Sequence, residues 1–241
     1  MGRIFEVRKQ KIFARMDRMA KQFTRIGKEI VIAVKSGGPD PNTNSLLRRV
    51  MANAKSINMP KDRVENAIKR AMGKDAESFE EVLFEGYAPH GVPVLVETAT
   101  DNNTRTVANI RAIFNKWGGN LGTNGSVSFM FKHMGVFKLR PEGLNTEELE
   151  LELIDYGLED LGEGAGESDE PVLVIHCGFT DFGNMQKALE ERKLEVISAE
   201  AEWIPTVLST ITEEDKLEDV LKLIGKLEDD DDVQKVYHNL S

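Results

Sequence analysis

The sequence contains few of the residues that build disulfides, zinc sites or membrane spans. Its 241 residues include one cysteine, Cys177, and four scattered histidines. A single cysteine excludes an internal disulfide framework, and isolated histidines lack the spacing of zinc ligands. No apolar run approaches the roughly 18–20 residues that span a bilayer, and the first residues do not resemble a signal peptide. We therefore expect a protein of reducing, cytoplasmic surroundings that has no membrane, metal or cofactor.

Motifs of common enzymes are also missing. The sequence has no Gly-x-Ser-x-Gly elbow, and its glycine-rich segment at 118–125 follows a helix and leads into a strand, the reverse of a phosphate-binding loop. The acidic run Asp229–Asp232 lacks the spacing of an EF-hand. Cys177 lies in a strand-like run and is predicted to be a buried structural thiol. We expect no catalytic residue and no small-molecule substrate.

Aromatic residues are scarce in residues 1–75, where only Phe5, Phe13 and Phe23 occur. Phe23 fits the core pattern described below, so few rings are left to stack on nucleobases. A recognition helix of the helix-turn-helix kind is not evident either. These absences leave the choice between DNA and RNA open.

What the sequence does have is a strong separation of charge. Residues 1–75 carry 18 Lys and Arg against 7 Asp and Glu, whereas residues 76–241 carry 13 against 34. The overall charge of −10 therefore hides a basic segment of +11. Such asymmetry indicates a part that meets a polyanion and a body that does not.

The basic segment is predicted to form three helices, over 5–35, from about Asn44 to Asn58, and from Pro60 to Gly73. The first has a stripe of apolar residues at helical steps: Ile12, Met16, Met19, Phe23, Ile26 and Ile30. Basic residues recur at similar steps beside it, which predicts a cationic face. The predicted nucleic-acid-binding residues are Arg8, Lys9, Lys11, Arg15, Arg18, Lys21, Arg25, Lys28, Lys35, Arg48, Arg49, Lys55, Lys61, Arg63, Lys69 and Arg70.

After residue 78 the pattern changes to mixed strands and helices, which predicts an α+β protein with three domains. Strands at 81–87, 92–99 and 126–131 flank a helix that ends near Trp117. The stretch 135–204 has the order β-α-β-β-α-β of a ferredoxin-like domain, with a glycine-rich turn at 162–169. A last helix (214–227) and strand (233–237) need partners. We expect domains at 1–77, at 78–133 plus 206–241, and an inserted domain at 134–205.

Several motifs resemble the YebC family in the same order along the chain. They are Gly37-Gly-Pro-Asp-Pro-Asn-Thr-Asn44, Ala54-Lys-Ser-Ile-Asn-Met-Pro-Lys-Asp62, Glu85-Gly-Tyr87, Thr100-Asp-Asn102 with Arg105, Gly125-Ser-Val127 and Asp231-Asp-Val-Gln-Lys-Val-Tyr237. The resemblance implies a helical domain followed by two α+β domains, and a non-catalytic regulator. Thr100-Asp-Asn102 with Arg105 is most simply interpreted as a helix-capping turn, and the resemblance adds a partner contact at Asp101, Asn102 and Arg105 as the alternative.

Members of that family usually begin with Gly-His-Ser-Lys-Trp, whereas this chain begins Met1-Gly-Arg-Ile-Phe. Any contact made by that histidine or tryptophan is therefore not carried over. Some members are regulators that bind promoter DNA. Others, including the mitochondrial translational activator of cytochrome oxidase, act in translation at the ribosome.

Three functions stay open at this point. The leading one is a regulator of gene expression that binds DNA through its basic helical domain, where Lys and Arg contact phosphates. The second is a translation factor that binds ribosomal RNA. The third, from another class, is a metal-dependent hydrolase that uses carboxylates around Glu85, Glu97, Asp101 and Asp229–Asp232. The sequence does not determine the oligomeric state.

Overall fold

A computed structural model describes residues 3–73, 76–166 and 170–241, with the side chains of the first helix described from residue 16 onward. The chain divides into two compact units, residues 1–80 and 81–241. Within the described residues no helix is both long and apolar enough to cross a bilayer. The predicted α+β class is confirmed, because three helices are followed by two four-stranded sheets with their own helices.

The first unit consists of helices α1 (Arg3–Gly37), α2 (Ser45–Ser56) and α3 (Lys61–Ala71). The three predicted helices are confirmed, with α1 slightly longer than expected. Helices α2 and α3 pack on α1. Their shared core includes Ile30, Leu47, Val50, Ala54 and Val64, all buried. Burying this surface keeps the short helices α2 and α3 folded, because isolated helices of that length are marginal in water.

A single buried amide, that of Asn44, joins the end of α1 to the start of α2. Its Oδ1 accepts a hydrogen bond from the Leu47 amide at 3.0 Å, which caps α2. Its Nδ2 donates to the carbonyls of Ala33 at 2.7 Å and of Gly38 at 2.8 Å. Gly38 has φ +85°, a left-handed conformation that favours glycine, and its amide donates to Val34. The sharp turn between the helices therefore depends on Asn44 and Gly38.

The apolar stripe of α1 is only partly a core stripe. Ile26 and Ile30 are buried, Met19 and Phe23 are half-buried, and Met16 is 60% exposed. Met16, which belongs to the predicted apolar stripe, therefore lies outside the core. The buried positions of α1 that pack with α2 and α3 all lie from Ile26 onward. Ile12 lies outside the described side chains.

The second unit begins with a sheet that uses both ends of its sequence. Strands β1 (Glu80–Tyr87), β2 (Pro93–Thr100), β3 (Asn120–Leu121) and β8 (Val233–His238) have the order β3-β1-β2-β8. Helices α4 (Asn103–Lys116) and α7 (Glu214–Glu228) contribute Ile110, Phe114, Val220 and Leu223 to its core. The last strand pairs antiparallel with β2 through Val94↔His238 to Thr98↔Val233. The C-terminal helix and strand thus have the partners that they require.

The other sheet is ferredoxin-like. It has β4 (Phe131–Leu139), α5 (Thr146–Leu153), β5 (Leu158–Ala165), β6 (Pro171–Gly178), α6 (Phe182–Glu191) and β7 (Val196–Pro205), with strand order β5-β6-β4-β7. Each neighbouring pair is antiparallel. Strands β4 and β5 are therefore parallel with β6 between them, which is the split βαβ arrangement. The predicted element order is confirmed.

Two local predictions in the second unit were wrong. Residues 126–130 do not form a strand, and residues 128–130 form a short 3-10 turn before β4. The reason is Glu85, whose carboxylate accepts hydrogen bonds from the amides of Gly125, Val127 and Ser128 at 2.7–2.8 Å. Amides held by this side chain cannot pair with a neighbouring strand. The glycines at 162 and 164, predicted to lie in a turn, are inside β5, where they pair with Val174 and Val172.

The predicted domain boundaries remain a prediction. Strand β4 begins at Phe131 and so crosses the boundary placed between residues 133 and 134. Between the two sheets, Leu95, Val127 and Phe131 form a small buried cluster, against which Trp203 and Tyr237 pack.

Candidate nucleic-acid interface

The cationic surface of the first unit is spread over all three helices. Helix α1 is 35 residues long, which corresponds to roughly 50 Å at 1.5 Å per residue. Arg8, Lys9, Lys11 and Arg15 lie on its helical backbone, but their side chains are outside the described ones. The predicted binding residues with exposed side chains are Arg18 and Lys35 on α1, Lys55 on α2, and Lys61, Arg63, Lys69 and Arg70 on α3. Lys21, Arg25, Lys28, Arg48 and Arg49 are half-buried.

Several of these cations are also held by contacts within the unit. The Arg48 Nη1 donates to the Pro41 carbonyl at 2.8 Å, and the Lys35 Nζ donates to the Ala76 carbonyl at 2.8 Å. Lys21 and Lys61 form helical ion pairs with Asp17 and Glu65, at 3.6 and 3.7 Å. These contacts give Arg48 and Lys35 a structural role in holding the loop and the linker.

Between α1 and α3 the structure contains a groove with a volume of about 800 Å³. Two half-buried aromatic rings line it, Phe23 from α1 and Phe79 from the linker, which is the segment that connects α3 to β1. The Arg63 guanidinium lies 5.4 Å from the centroid of Phe23, and the Lys28 ammonium lies 5.2 Å from that of Phe79. Both are cation–π distances. Arg70 and Asn66 on α3 line the same groove.

Sequence reasoning missed this groove. Phe23 was assigned to the core, and Phe79 lies outside the basic segment, so nothing in the local pattern joined the two rings. One signal was present in Gly27, a glycine inside a helix, which costs about 0.5–1 kcal/mol relative to alanine. A Cβ built at Gly27 would meet nothing within 4 Å, so this glycine is not required by close packing. It faces the groove instead.

The three residues predicted to contact a partner in the second unit are joined to one another and to Asp232. The Arg105 Nη2 donates to Asp101 at 2.8 Å and to the buried Asp232 at 2.7 Å. Asn102 caps α4 by accepting from the Arg105 amide at 3.1 Å. The hydrogen bonds that Arg105 donates to Asp232 and Asp101 raise the pKa of its guanidinium. The network fixes the start of α4, and a partner contact at Asp101, Asn102 and Arg105 remains a prediction.

The carboxylates of the third function serve separate structural roles. Glu85 binds the three loop amides described above, and Glu97 accepts hydrogen bonds from Trp203 Nε1 at 2.9 Å and Tyr237 OH at 3.0 Å. Burial raises the pKa of Glu97, although the hydrogen bonds from Tyr237 and Trp203 act to lower it. Among the described residues, no three His, Cys, Asp or Glu side chains are grouped so that they could hold a metal ion.

The single cysteine, Cys177, is fully buried in β6. Burial raises the pKa of its thiol to about 11, so the thiol is almost entirely protonated at neutral pH. The prediction of a buried structural thiol is confirmed.

Comparison with known proteins gives matches over nearly the whole chain. Residues 3–74 match the family described as "TACO1/YebC protein N-terminal domain", and residues 79–240 match "TACO1/YebC second and third domain". A probable transcriptional regulatory protein of Anaeromyxobacter dehalogenans is 58% identical over 241 residues, which is 100% of both chains. One from Flavobacterium johnsoniae is 55% identical over 100% of this chain and 99% of its own.

The fold is also similar to a solved one. The crystal structure of a conserved hypothetical protein from Aquifex aeolicus superposes with a TM-score of 0.76 at 37% identity, covering 92% of this chain and 90% of that chain. The curated relatives are named as regulatory proteins and not as enzymes. Given both family matches and the full-length similarity, this chain belongs to the TACO1/YebC family.

Proposed function

We propose that the protein is a non-enzymatic regulator of gene expression that binds nucleic acid through its first unit. One observation carries the proposal: the +11 charge of residues 1–75 beside a strongly acidic remainder. Exposed Lys and Arg on α1, α2 and α3 offer phosphate contacts, which supply most of the affinity without reading sequence. The acidic second unit would be repelled by phosphates, so the first unit alone would face the polyanion.

DNA is the ligand that the names of the relatives favour, since these are called probable transcriptional regulatory proteins. We propose duplex DNA in the cytoplasm as the first ligand to test. Ribosomal RNA is the second candidate, because the rings of Phe23 and Phe79 beside cations suit unpaired bases, which RNA presents in its loops. Co-sedimentation of the protein with ribosomes separates the two.

The experiment compares two charge-matched variants of the full chain. The first combines Arg18→Gln, Lys55→Gln and Lys69→Gln, three exposed positions outside the groove. The second combines Arg111→Gln, Lys187→Gln and Lys222→Gln in the second unit, which are also exposed. Because Gln keeps helix propensity, both variants should melt close to the parent.

Binding to duplex DNA and to structured RNA is then measured by fluorescence anisotropy at low salt. The first variant should bind about tenfold or more weakly, because it loses three phosphate contacts, and the second should bind nearly as tightly as the parent, because it keeps every cation of the first unit. Equal binding by the two variants would contradict the assignment of the first unit.

A further inference from the structure

The groove between α1 and α3 has features that plain phosphate binding does not need. A straight cationic helix face suffices to contact a phosphate backbone. Here two half-buried rings, Phe23 and Phe79, line one concave space of about 800 Å³. That volume lies within the range of small-molecule sites, about 300–1,000 Å³.

The chemistry of the walls matches one nucleotide at a time. The rings offer flat apolar faces, on which any base can stack. Lys28, Arg63 and Arg70 supply positive charge at the same groove, complementary to a phosphate backbone. The Asn66 side chain carries both a donor and an acceptor, the combination that pairs with a base edge. Glu77 is the acidic residue of this lining.

The packing of the three helices does not explain the open space beside Gly27 on α1. Gly27 weakens the helix and leaves open space where a side chain would otherwise lie. Ala67 on α3 lines the same groove. Small side chains on both helices keep the space between them open, which a ligand requires and the three-helix core does not.

We propose that this groove binds an unpaired base of single-stranded RNA, stacked on Phe23, with its backbone contacted by Lys28, Arg63 and Arg70. RNA is chosen because its loops and bulges present unstacked bases, and proteins that recognise RNA sequence bind these on aromatic and arginine planes. A paired base in a duplex has both faces covered by its neighbours and could not enter. The proposal rests on the proposed nucleic-acid binding of the first unit and adds to it a specific site.

The test uses the full chain and a short oligouridylate that carries one fluorescent adenine analogue, whose emission is quenched when it stacks. The variants are Phe23→Leu, which removes a stacking face but keeps an apolar side chain, and Phe23→Tyr, which keeps the ring. A third variant, Gly27→Leu, fills the groove from α1 without removing any ring or cation. Leucine favours the helix over glycine, so this variant should melt no lower than the parent.

Phe23→Leu should weaken RNA binding by about fivefold or more and abolish the quenching, because the base loses the ring on which it stacks. Phe23→Tyr should behave as the parent, and Gly27→Leu should lose quenching as well. The duplex-DNA affinity of all three variants should stay unchanged, because the exposed cations remain. Normal RNA quenching in Gly27→Leu would overturn the groove site. If the variant at Arg18, Lys55 and Lys69 nevertheless lost duplex binding, the proposed function would stand.

Two further outcomes would also overturn the inference. One is equal, Phe23-dependent binding of the corresponding single-stranded DNA, which would contradict the choice of RNA. The other is failure of both the RNA and the duplex to bind the parent, which would overturn the proposed function together with the site.

Discussion

At the scale of single residues, Asn44 is the position whose chemistry is most constrained in the first unit. Its acceptor caps α2 and its two donors hold the end of α1. Asn44→Asp keeps the acceptor and removes both donors, whereas Asn44→Ala removes all three bonds. We expect Asn44→Ala to lower the free energy of unfolding by about 1–3 kcal/mol, because it also leaves buried carbonyls without partners.

The aspartate variant should be destabilised too, since its carboxylate would face the Ala33 and Gly38 carbonyls. Urea denaturation followed by circular dichroism measures both changes. Asn42→Ala, at an exposed position in the same turn, is the control and should change stability by less than about 0.5 kcal/mol. If Asn44→Asp were as stable as the parent, the donated bonds would contribute nothing.

Glu85 gives the second unit a defined response to acid. Burial acts to raise its pKa, but the amides of Gly125, Ser128 and Val127 outweigh burial and hold the pKa below its ordinary value. Because the folded-state pKa is depressed, the contribution to stability is present above the unfolded pKa of about 4.3 and is lost as the pH falls through the folded one.

Glu85→Gln removes the charge that the three amides bind. We expect the variant to unfold more easily than the parent at pH near 7, and the difference in unfolding free energy to shrink below about pH 4. Thermal melts across this pH range measure the effect. Glu80→Gln, an exposed change in the same strand, should show neither behaviour. If the difference in unfolding free energy between the parent and Glu85→Gln did not change with pH, the role given to the loop amides would be contradicted.

At the scale of elements, the spacing of apolar residues predicted the helices, because helix formation depends on a local pattern in the sequence. Helices α1, α2, α3, α4, α6 and α7 follow from apolar spacing and from the residues that begin and end them. The separate strand predicted over 126–131 does not form, because the amides there are bound by Glu85, forty residues earlier in the chain. The short strand β3 was missed because its two residues carry no alternating pattern. Side-chain interactions over long sequence distances are invisible to local periodicity.

In the candidate site, too, the features set by local sequence were predicted, and those set by contacts between distant residues were not. Its charge was evident from the composition, and its exposed cations fall on helices that were predicted. The groove was not predicted, since it depends on Phe79 from the linker meeting α1 and α3. The apolar stripe of α1 includes Met16, which is exposed, because the periodicity extends further along the helix than its packing with α2 and α3.

Helix α7 provides a test of the packing in the first sheet. Leu223 is fully buried on its inner side, while Leu221 is half-exposed. Leu223→Ala should lower the free energy of unfolding by about 2–5 kcal/mol, through lost burial and the cavity left behind. Leu221→Ala should change it by less than about 0.5 kcal/mol. Chemical denaturation of both variants checks the packing, and similar losses at the two positions would contradict it.

At the scale of the whole molecule, the separation of charge predicts how binding responds to salt. If the first unit neutralises about six phosphates, log K against log salt should fall with a slope of roughly −5 on duplex DNA. Isotherms at several salt concentrations give this slope. Replacement of Arg18, Lys55 and Lys69 by Gln should flatten it by roughly three if each contacts a phosphate. A slope near zero for the parent would mean that the cations are only a solvated surface.

The pairing of β8 with β2 has a consequence for how the protein is made. Strand β2 is buried along nearly its whole length, and its partner is among the last residues of the chain. During synthesis the ferredoxin-like sheet, complete by residue 205, can form while the first sheet still lacks its last strand. Until β8 leaves the ribosome, β2 presents an open, apolar edge of the kind that pairs with other chains and aggregates. A nascent chain that stops before β8 therefore carries a complete ferredoxin-like sheet and a first sheet whose β2 edge is unpaired, and this edge favours aggregation.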